Sequence, residues 1–194
     1  MFDSTNYWEK RYALGRTSGE GSYNESAKWK ADNINKFIKE NNIKTIGDFG
    51  SGDGNQFSLF KGYEKYYGFD VSKIIVDKVS KQFKHNLKVR FSTKLEEIPL
   101  VDLAISLDVL FHLIDEKIYK EYIKMLFSKS KKYIIIYARN KSCQGASHYK
   151  CREFIHDIQQ IIGLVPFKII PIPLSISKKG VSYNDFVFYK KESI

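Results

Sequence analysis

The chain is poor in residues that staple or interrupt a fold: its 194 residues include two cysteines and four prolines. Cys143 and Cys151 lie eight apart, and no cysteine pair or cysteine–histidine cluster has zinc-site spacing. A reducing compartment keeps both as thiols, so two ordinary thiols are expected. No apolar run approaches the ~18 residues that span a bilayer; the longest is Tyr133 to Ala138. The start, Met1-Phe2-Asp3-Ser4-Thr5-Asn6, lacks the basic opening and apolar core of a secretory signal. With 43% hydrophobic and 28% charged residues, the composition excludes a disordered, collagen-like or disulfide-stapled chain. A cytoplasmic protein without membrane contact is expected.

Arginine is scarce as well. Only five of the 32 basic residues are arginine, the usual reader of phosphates and base edges. The 27 lysines are scattered with no block of five, so the net charge of +10 follows a general Lys/Asn/Ile bias. Nucleic acid is therefore not expected as a partner, while an acidic small molecule would be tolerated. The length suits one domain over 1–194. A chain of this size buries roughly 70% of its unfolded surface and needs no metal to hold a core.

What is present is an alternation of two hydrophobic periods. Residues 1–23 form an aromatic arm ending Thr17-Ser18-Gly19-Glu20-Gly21-Ser22-Tyr23. The α/β core, 24–194, opens with a helix in which Ala27, Ala31, Ile34 and Ile38 recur until Asn41-Asn42. Strands are predicted at Thr45–Phe49, Tyr66–Phe69, Lys88–Phe91, Val101–Leu107, Tyr133–Tyr137, 167–172 and 183–189. Helices are predicted at Asn55–Phe60 and after a Ser72 cap, with Ile75, Val79 and Phe83 on one face. Two more fall at 115–128, with Ile118, Tyr122 and Met125 inward, and at 151–162 up to Gly163. A turn with Lys178-Lys179-Gly180 joins the last two strands. The pattern describes an α/β fold: a Rossmann-like, doubly wound, seven-stranded sheet, mostly parallel with an antiparallel edge strand, and helices on both faces.

Three stretches carry chemistry. Ile46-Gly47-Asp48-Phe49-Gly50-Ser51-Gly52-Asp53-Gly54 follows a strand and precedes a helix, where an open α/β sheet binds its ligand. Its glycines let the backbone approach a ligand, and N–H groups opening the next helix can receive a carboxylate or phosphate. The spacing is not the Gly-x-Gly-x-x-Gly of a dinucleotide site. Asp48, two residues before Gly50, repels a pyrophosphate and suits a cofactor bearing an amino group, which disfavours an NAD-dependent dehydrogenase. Asp70, in Tyr67-Gly68-Phe69-Asp70-Val71-Ser72, ends the second strand. There it either accepts both hydroxyls of a ribose, with Val71 facing the base, or caps a helix; the nearby glycine loop favours the first. Ser106-Leu107-Asp108-Val109-Leu110-Phe111-His112-Leu113 leaves the central strand where the reacting atoms belong. His112 either takes a proton from a substrate hydroxyl or anchors a loop.

Asp48 to Gly54, Asp70 and Ser106 to Val109 together resemble class I S-adenosylmethionine-dependent methyltransferases, over about residues 40–189. The arm, Tyr7-Trp8-Glu9-Lys10-Arg11-Tyr12 and then Ser18 to Tyr23, is similar to that of a group of small bacterial and viral methyltransferases. Phe49 to Gln56 and Ser106 to Val109 match that group too, and its members are often associated with glycan or nucleotide-sugar modification. The resemblance implies S-adenosylmethionine as cofactor, with Asp48, Gly50, Gly52 and Gly54 around its methionine end. It puts Asp70 on the ribose diol, Val71 on the adenine, Ser92 or Thr93 at the adenine edge, and Ser51, Gln56 and Val109 among the cofactor contacts. Asp108 lies near the methionine amine or the transferring methyl. Trp8, Arg11 and Ser18–Tyr23, Gly19 among them, close over the site as a lid, the alternative being a strap packed on the core.

The activity so implied moves a methyl group to a hydroxyl or amine of a small molecule, a sugar or nucleotide-sugar first. His112 is the first choice of base, His148 the second, and Asp108 the acid beside the methyl. In the loop Ala138–Lys150, Arg139, Gln144 and His148, with Arg152 beyond, invite attention because loops at this edge carry substrate contacts. The two arginines and His148 either bind a sugar-nucleotide phosphate or are solvated charges. His85 and His156 are assigned nothing. The competing readings are an RNA methyltransferase and a catalytically inert S-adenosylmethionine-binding subunit. No metal is expected, and monomer and homodimer both stay open.

Overall fold

The computed structural model describes residues 3–144, 148–173, 175–176 and 184–192. Its helices are α1 (Ser4–Ala13), α2 (Asn24–Glu40), α3 (Lys73–Gln82), α4 (Glu116–Ser128) and α5 (Phe154–Ile162). The strands are β1 (Thr45–Phe49), β2 (Lys65–Phe69), β3 (Val89–Ser92), β4 (Val101–Leu107), β5 (Ser130–Arg139), β6 (Cys143–Gln144), β7 (Lys150–Cys151), β8 (Lys168–Pro171) and β9 (Asn184–Lys190). Seven of them form one sheet in the order β3-β2-β1-β4-β5-β9-β8, while β6 and β7 pair apart. The first five are parallel, and β9 runs antiparallel between β5 and β8. The antiparallel strand thus stands one place in from the edge. Strand order reverses beside β1, whose neighbours are β2 and β4, and that is where ligands enter open α/β sheets.

One face of the sheet packs Ile46, Leu103 and Ile105 against Ile34, Phe37 and Ile38 of α2 and Ile75 and Val79 of α3. The other packs Ala104, Ile134 and Ile136 against Ile123 and Leu126 of α4 and Phe154 and Ile158 of α5. The buried stripe of α2 is Ala27, Lys30, Ala31, Ile34, Phe37 and Ile38, a helical repeat with a lysine in it. Burying each aliphatic or aromatic side chain of that stripe contributes about 1.5–3 kcal/mol, enough to hold the helix down around the lysine.

Several expectations shift. The arm contains α1, which begins where the Asp3 carboxylate accepts the Asn6 N–H at 3.0 Å. The segment expected as a helix at 55–60 makes a single 3-10 turn, Phe57–Leu59, because Phe60 already returns to extended backbone. The fully buried face of α4 is Tyr119, Ile123, Leu126 and Phe127; of the expected inward set, Tyr122 and Met125 pack partly buried against that core, while Ile118 is exposed. The start of α5 moves from 151 to Phe154 because Lys150 and Cys151 pair with Gln144 and Cys143. Cys151 is disulfide-bonded, against the expectation of thiols. The only other cysteine, Cys143, stands opposite it in that ladder. The turn at 178–180 lies outside the described residues. No helix among the described residues is long and apolar enough to cross a membrane.

Candidate active site

At the C-terminal edge of β1, the chain turns through Gly50 and Gly52, with φ of +93° and +58°. Both positions also need the missing side chain. A Cβ on Gly50 would stand 2.4 Å from Val109 Cγ2, and one on Gly52 would stand 2.3 Å from Ser18 Oγ. The Gly50 and Ser51 N–H groups both donate to the Phe69 carbonyl, at 2.7 and 3.0 Å, tying the loop to the end of β2. Asp70 completes the tie: its carboxylate accepts the Gly52 N–H at 2.9 Å and the Ser72 N–H at 3.0 Å. Beneath the loop, Tyr66 OH donates to Asp48 Oδ2 at 2.7 Å. Burial pushes the Asp48 carboxyl up to about 7 and that of Asp70 up to about 6, against the opposing pull of these hydrogen bonds.

The arm is fastened over this edge at two points. On α1, Glu9 accepts Ser72 Oγ–H at 2.6 Å and the Lys73 and Ile74 N–H groups at 3.0 and 3.3 Å, so it caps the start of α3. Those donors hold the Glu9 carboxyl below its ordinary range although desolvation opposes them. Farther along, the Ser18 N–H donates to Asp53 Oδ2 at 2.7 Å while the Asp53 N–H donates to Ser18 Oγ at 2.9 Å. Tyr23 OH adds a bond to the same Asp53 oxygen at 2.9 Å.

The third wall comes from the end of β4. Asp108 has a left-handed backbone, φ +60°, and its Oδ2 lies 2.6 Å from the Nζ of Lys30. His112 sits in the turn after β4, its ring edge-on to Trp8 at 5.1 Å between centroids. Its Nδ1 lies 3.2 Å from the His148 carbonyl. A carbonyl only accepts, so Nδ1 carries the proton and Nε2 keeps its lone pair. Burial holds the imidazole below its ordinary pKa, which favours the neutral ring. His148 itself stacks on Tyr7 of α1 at 5.4 Å.

These walls enclose a cavity of about 350 Å³. From the residues singled out in the sequence it gathers Trp8, Ser18, Asp48, Gly50, Ser51, Gly52, Gln56, Asp70, Val71, Asp108, Val109 and His112. Arg11, Gly19, Gly54, Thr93 and His148 lie outside its lining. Arg11 donates from Nε to the Thr17 carbonyl at 2.7 Å, and Gly54 backs onto Phe83 and Val79. Gln144 lies on β6 and Arg139 is half-buried at the end of β5. Arg152 is held by Glu116 at 3.0 Å and lies 4.1 Å over the Tyr119 ring. His85 and His156 are exposed. The lining also includes Ser22 of the expected lid and residues that sequence reading missed, among them Asp3, Ser4, Tyr12, Leu113 and Tyr122. Lys30, behind Asp108, was missed too; its signal was a lysine at a core position of the α2 repeat.

The cavity wall is ready for a polar ligand. Asp48 Oδ1, Ser51 Oγ and Gln56 Oε1 are buried without a hydrogen-bond partner among the described residues, and all three residues line the cavity. Buried polar atoms are seldom left so. No group of three His, Cys, Asp or Glu residues among the described ones could hold a metal ion.

No protein-family model matches the chain, and no curated protein matches it in sequence. Solved structures do match in shape. Magnesium protoporphyrin IX methyltransferase (ChlM) from Synechocystis PCC 6803, with bound SAM, gives a TM-score of 0.71 at 17% identity over 99% of each chain. The N-methyltransferase NodS from Bradyrhizobium japonicum WM9, in complex with S-adenosyl-L-homocysteine, gives 0.76 at 12% identity over 98% of this chain and 100% of that one. A S-adenosylmethionine-dependent methyltransferase from Clostridium acetobutylicum ATCC 824 gives 0.66 at 15% identity, covering 93% of this chain and 98% of that one. At these identities the likeness establishes the fold: the chain is built on the mixed seven-stranded α/β sheet that these methyltransferases share.

Proposed function

We propose that the chain is an S-adenosylmethionine-dependent methyltransferase acting on a hydroxyl or amine of a small molecule, with a sugar or nucleotide-sugar as the acceptor class. Residues 1–194 then form one catalytic domain whose first 23 residues close the site. One observation carries the reading. At the switch point of the sheet, two buried carboxyls and three unmatched polar atoms line one cavity beside a glycine turn. Asp48, Ser51 and Gln56 suit the amino-acid end of the cofactor, Asp70 the ribose hydroxyls, and Val71 the base. The bound SAM and S-adenosyl-L-homocysteine of the first two structural neighbours support the same choice of ligand.

The cofactor supplies a methyl group already activated on a sulfonium. The chain's own task is then alignment, exclusion of water and, for a hydroxyl acceptor, removal of a proton. Trp8 and the fastened arm exclude water. His112 accepts the proton at Nε2, because its Nδ1–H is committed to the His148 carbonyl and its ring is neutral at pH 7. His112→Ala is expected to lower turnover on a hydroxyl acceptor by about 10²–10⁴-fold; near-normal turnover at neutral pH removes the base.

The test of the function is transfer of labelled methyl from S-adenosylmethionine into source-cell extract separated into small-molecule, RNA and protein fractions. An Asp70→Ala protein serves as the blank. Label in the small-molecule fraction is the expected result and delivers the acceptor for identification. Label in RNA replaces the acceptor class. Cofactor binding with no label in any fraction replaces the enzyme with a binding subunit.

A further inference from the structure

We infer that Lys30 of α2, together with Asn184 of β9, is a positioning clamp that turns the Asp108 carboxylate into the cavity to receive the cationic end of the methyl donor. The donor's identity rests on the proposed function; the clamp itself rests on geometry. Along β4, Leu103, Ile105 and Leu107 face the α2 side of the sheet, while Ala104 faces α4 and Ser106 Oγ meets Tyr122 OH of α4 at 2.7 Å. Continued alternation would send Asp108 toward α4. The left-handed backbone at Asp108 breaks the alternation and delivers its carboxylate to Lys30 instead.

Two unfavourable features therefore meet at one wall of the cavity. A left-handed backbone strains a residue with a Cβ, although aspartate tolerates it better than most. A lysine ordinarily runs its ammonium out to water. Lys30 is 0% exposed, with Nζ 5.1 Å over the Tyr137 ring. A buried ammonium is tolerated only when paired. Asn184 Nδ2 donates to Asp108 Oδ1 at 2.9 Å, so each carboxylate oxygen has one of these donors and keeps acceptor capacity for a ligand. Asp108 lines the cavity and Lys30 stands behind it, which leaves the pair a dipole with its negative end toward the ligand. The arm closes directly onto this carboxylate, since a Cβ on Gly21 would stand 2.9 Å from Oδ2. Strain and burial of this kind persist where surrounding contacts over-determine them, and they cluster at functional sites.

The test pairs ligand-free crystal structures with calorimetric titration of S-adenosylmethionine into wild-type, Lys30→Gln, Lys30→Arg, Asp108→Asn and Lys30→Gln/Asp108→Asn proteins. In Lys30→Gln, Asp108 is expected to leave its left-handed conformation and affinity to fall roughly tenfold. Lys30→Arg should recover most of that loss. In the Asp108→Asn background, Lys30→Gln should add no further loss, because nothing is left to position. An undisplaced Asp108 with wild-type affinity in Lys30→Gln overturns the clamp, as do losses that simply multiply. Should Lys30→Gln fail to fold, Asn184→Ala carries the same two readouts. Failure of wild-type protein to bind the cofactor, beside a displaced Asp108 in Lys30→Gln, removes the methyl-donor reading and leaves the clamp standing.

Discussion

Asp48 and Asp70, at the glycine-loop end of the cavity, are buried carboxyls whose close donors are a phenol and backbone amides. Asp108, at the β4 end, meets a buried ammonium at 2.6 Å. The first two are pushed up toward neutrality by burial, and the more distant charge of Lys30 offsets this only in part at Asp48. An acid whose close donors are all neutral is one that a ligand's own donors can complete. An acid already given its cation is being held in place. The same side-chain type therefore does two jobs within one cavity, and the difference lies in the partner that the fold supplies.

Asp70→Ala should break the glycine-loop end most severely. It removes the acceptor for Gly52 N–H and the expected ribose contact together, so affinity for S-adenosylmethionine should fall about 100-fold or more by calorimetry. Asp48→Asn tests the buried acid by pH. In the folded chain this carboxyl takes up its proton near pH 7, well above its ordinary 3.8, so folded protein holds more protons than unfolded protein across that window. Stability should therefore fall as pH rises from about 4 toward 7. Asp48→Asn should remove that fall, stabilising the ligand-free protein by on the order of a few kcal/mol at pH 8 and little below pH 4. Thermal melts across pH measure it, while cofactor affinity drops roughly tenfold. The smallest effect belongs to the arm that spans both ends. Ser18→Ala deletes the acceptor for Asp53 N–H, costs about 0.5–1.5 kcal/mol, and should show as faster proteolysis within residues 14–23 with little change in the core.

The glycine-loop end of the cavity was legible in the sequence because it is local. Asp48, the glycines and Asp70 belong to one strand–loop–strand unit, and residue type with spacing nearly determines what such a unit can hold. Asp108 was legible as a position, but its partners were not. Lys30 reads as another solvated lysine until the phase of α2 is known, and Asn184 arrives from a strand with no motif of its own. The same limit explains Glu9, whose cap on α3 joins residues 63 to 65 apart. Helix α1 was hidden because its face carries Tyr7, Trp8 and Tyr12, which read equally well as an irregular aromatic arm. The phase of α4 was read one residue off its fully buried face because Ile118 is apolar enough to pass for core, though it is exposed at the cavity, whereas Tyr122 both packs on the core and lines the cavity. Cysteine spacing carries no sign of a pairing, and only the β6–β7 register brings Cys143 opposite Cys151.

The insertion of β9 between β5 and β8 has a consequence for the order in which the protein is built. Strand β8 is synthesised first but has no direct place beside β5; it waits for the later strand to fill the gap. Lys30 and Asp108 are 78 residues apart, and Asp108 and Asn184 are 76 apart, so both contacts close long loops of chain. The glycine turn and Asp70 can assemble while the polypeptide is still growing. Asp108 receives its second donor only when β9 joins the sheet, so a nascent chain can assemble the glycine-loop end of the cavity well before the Asp108 wall is complete.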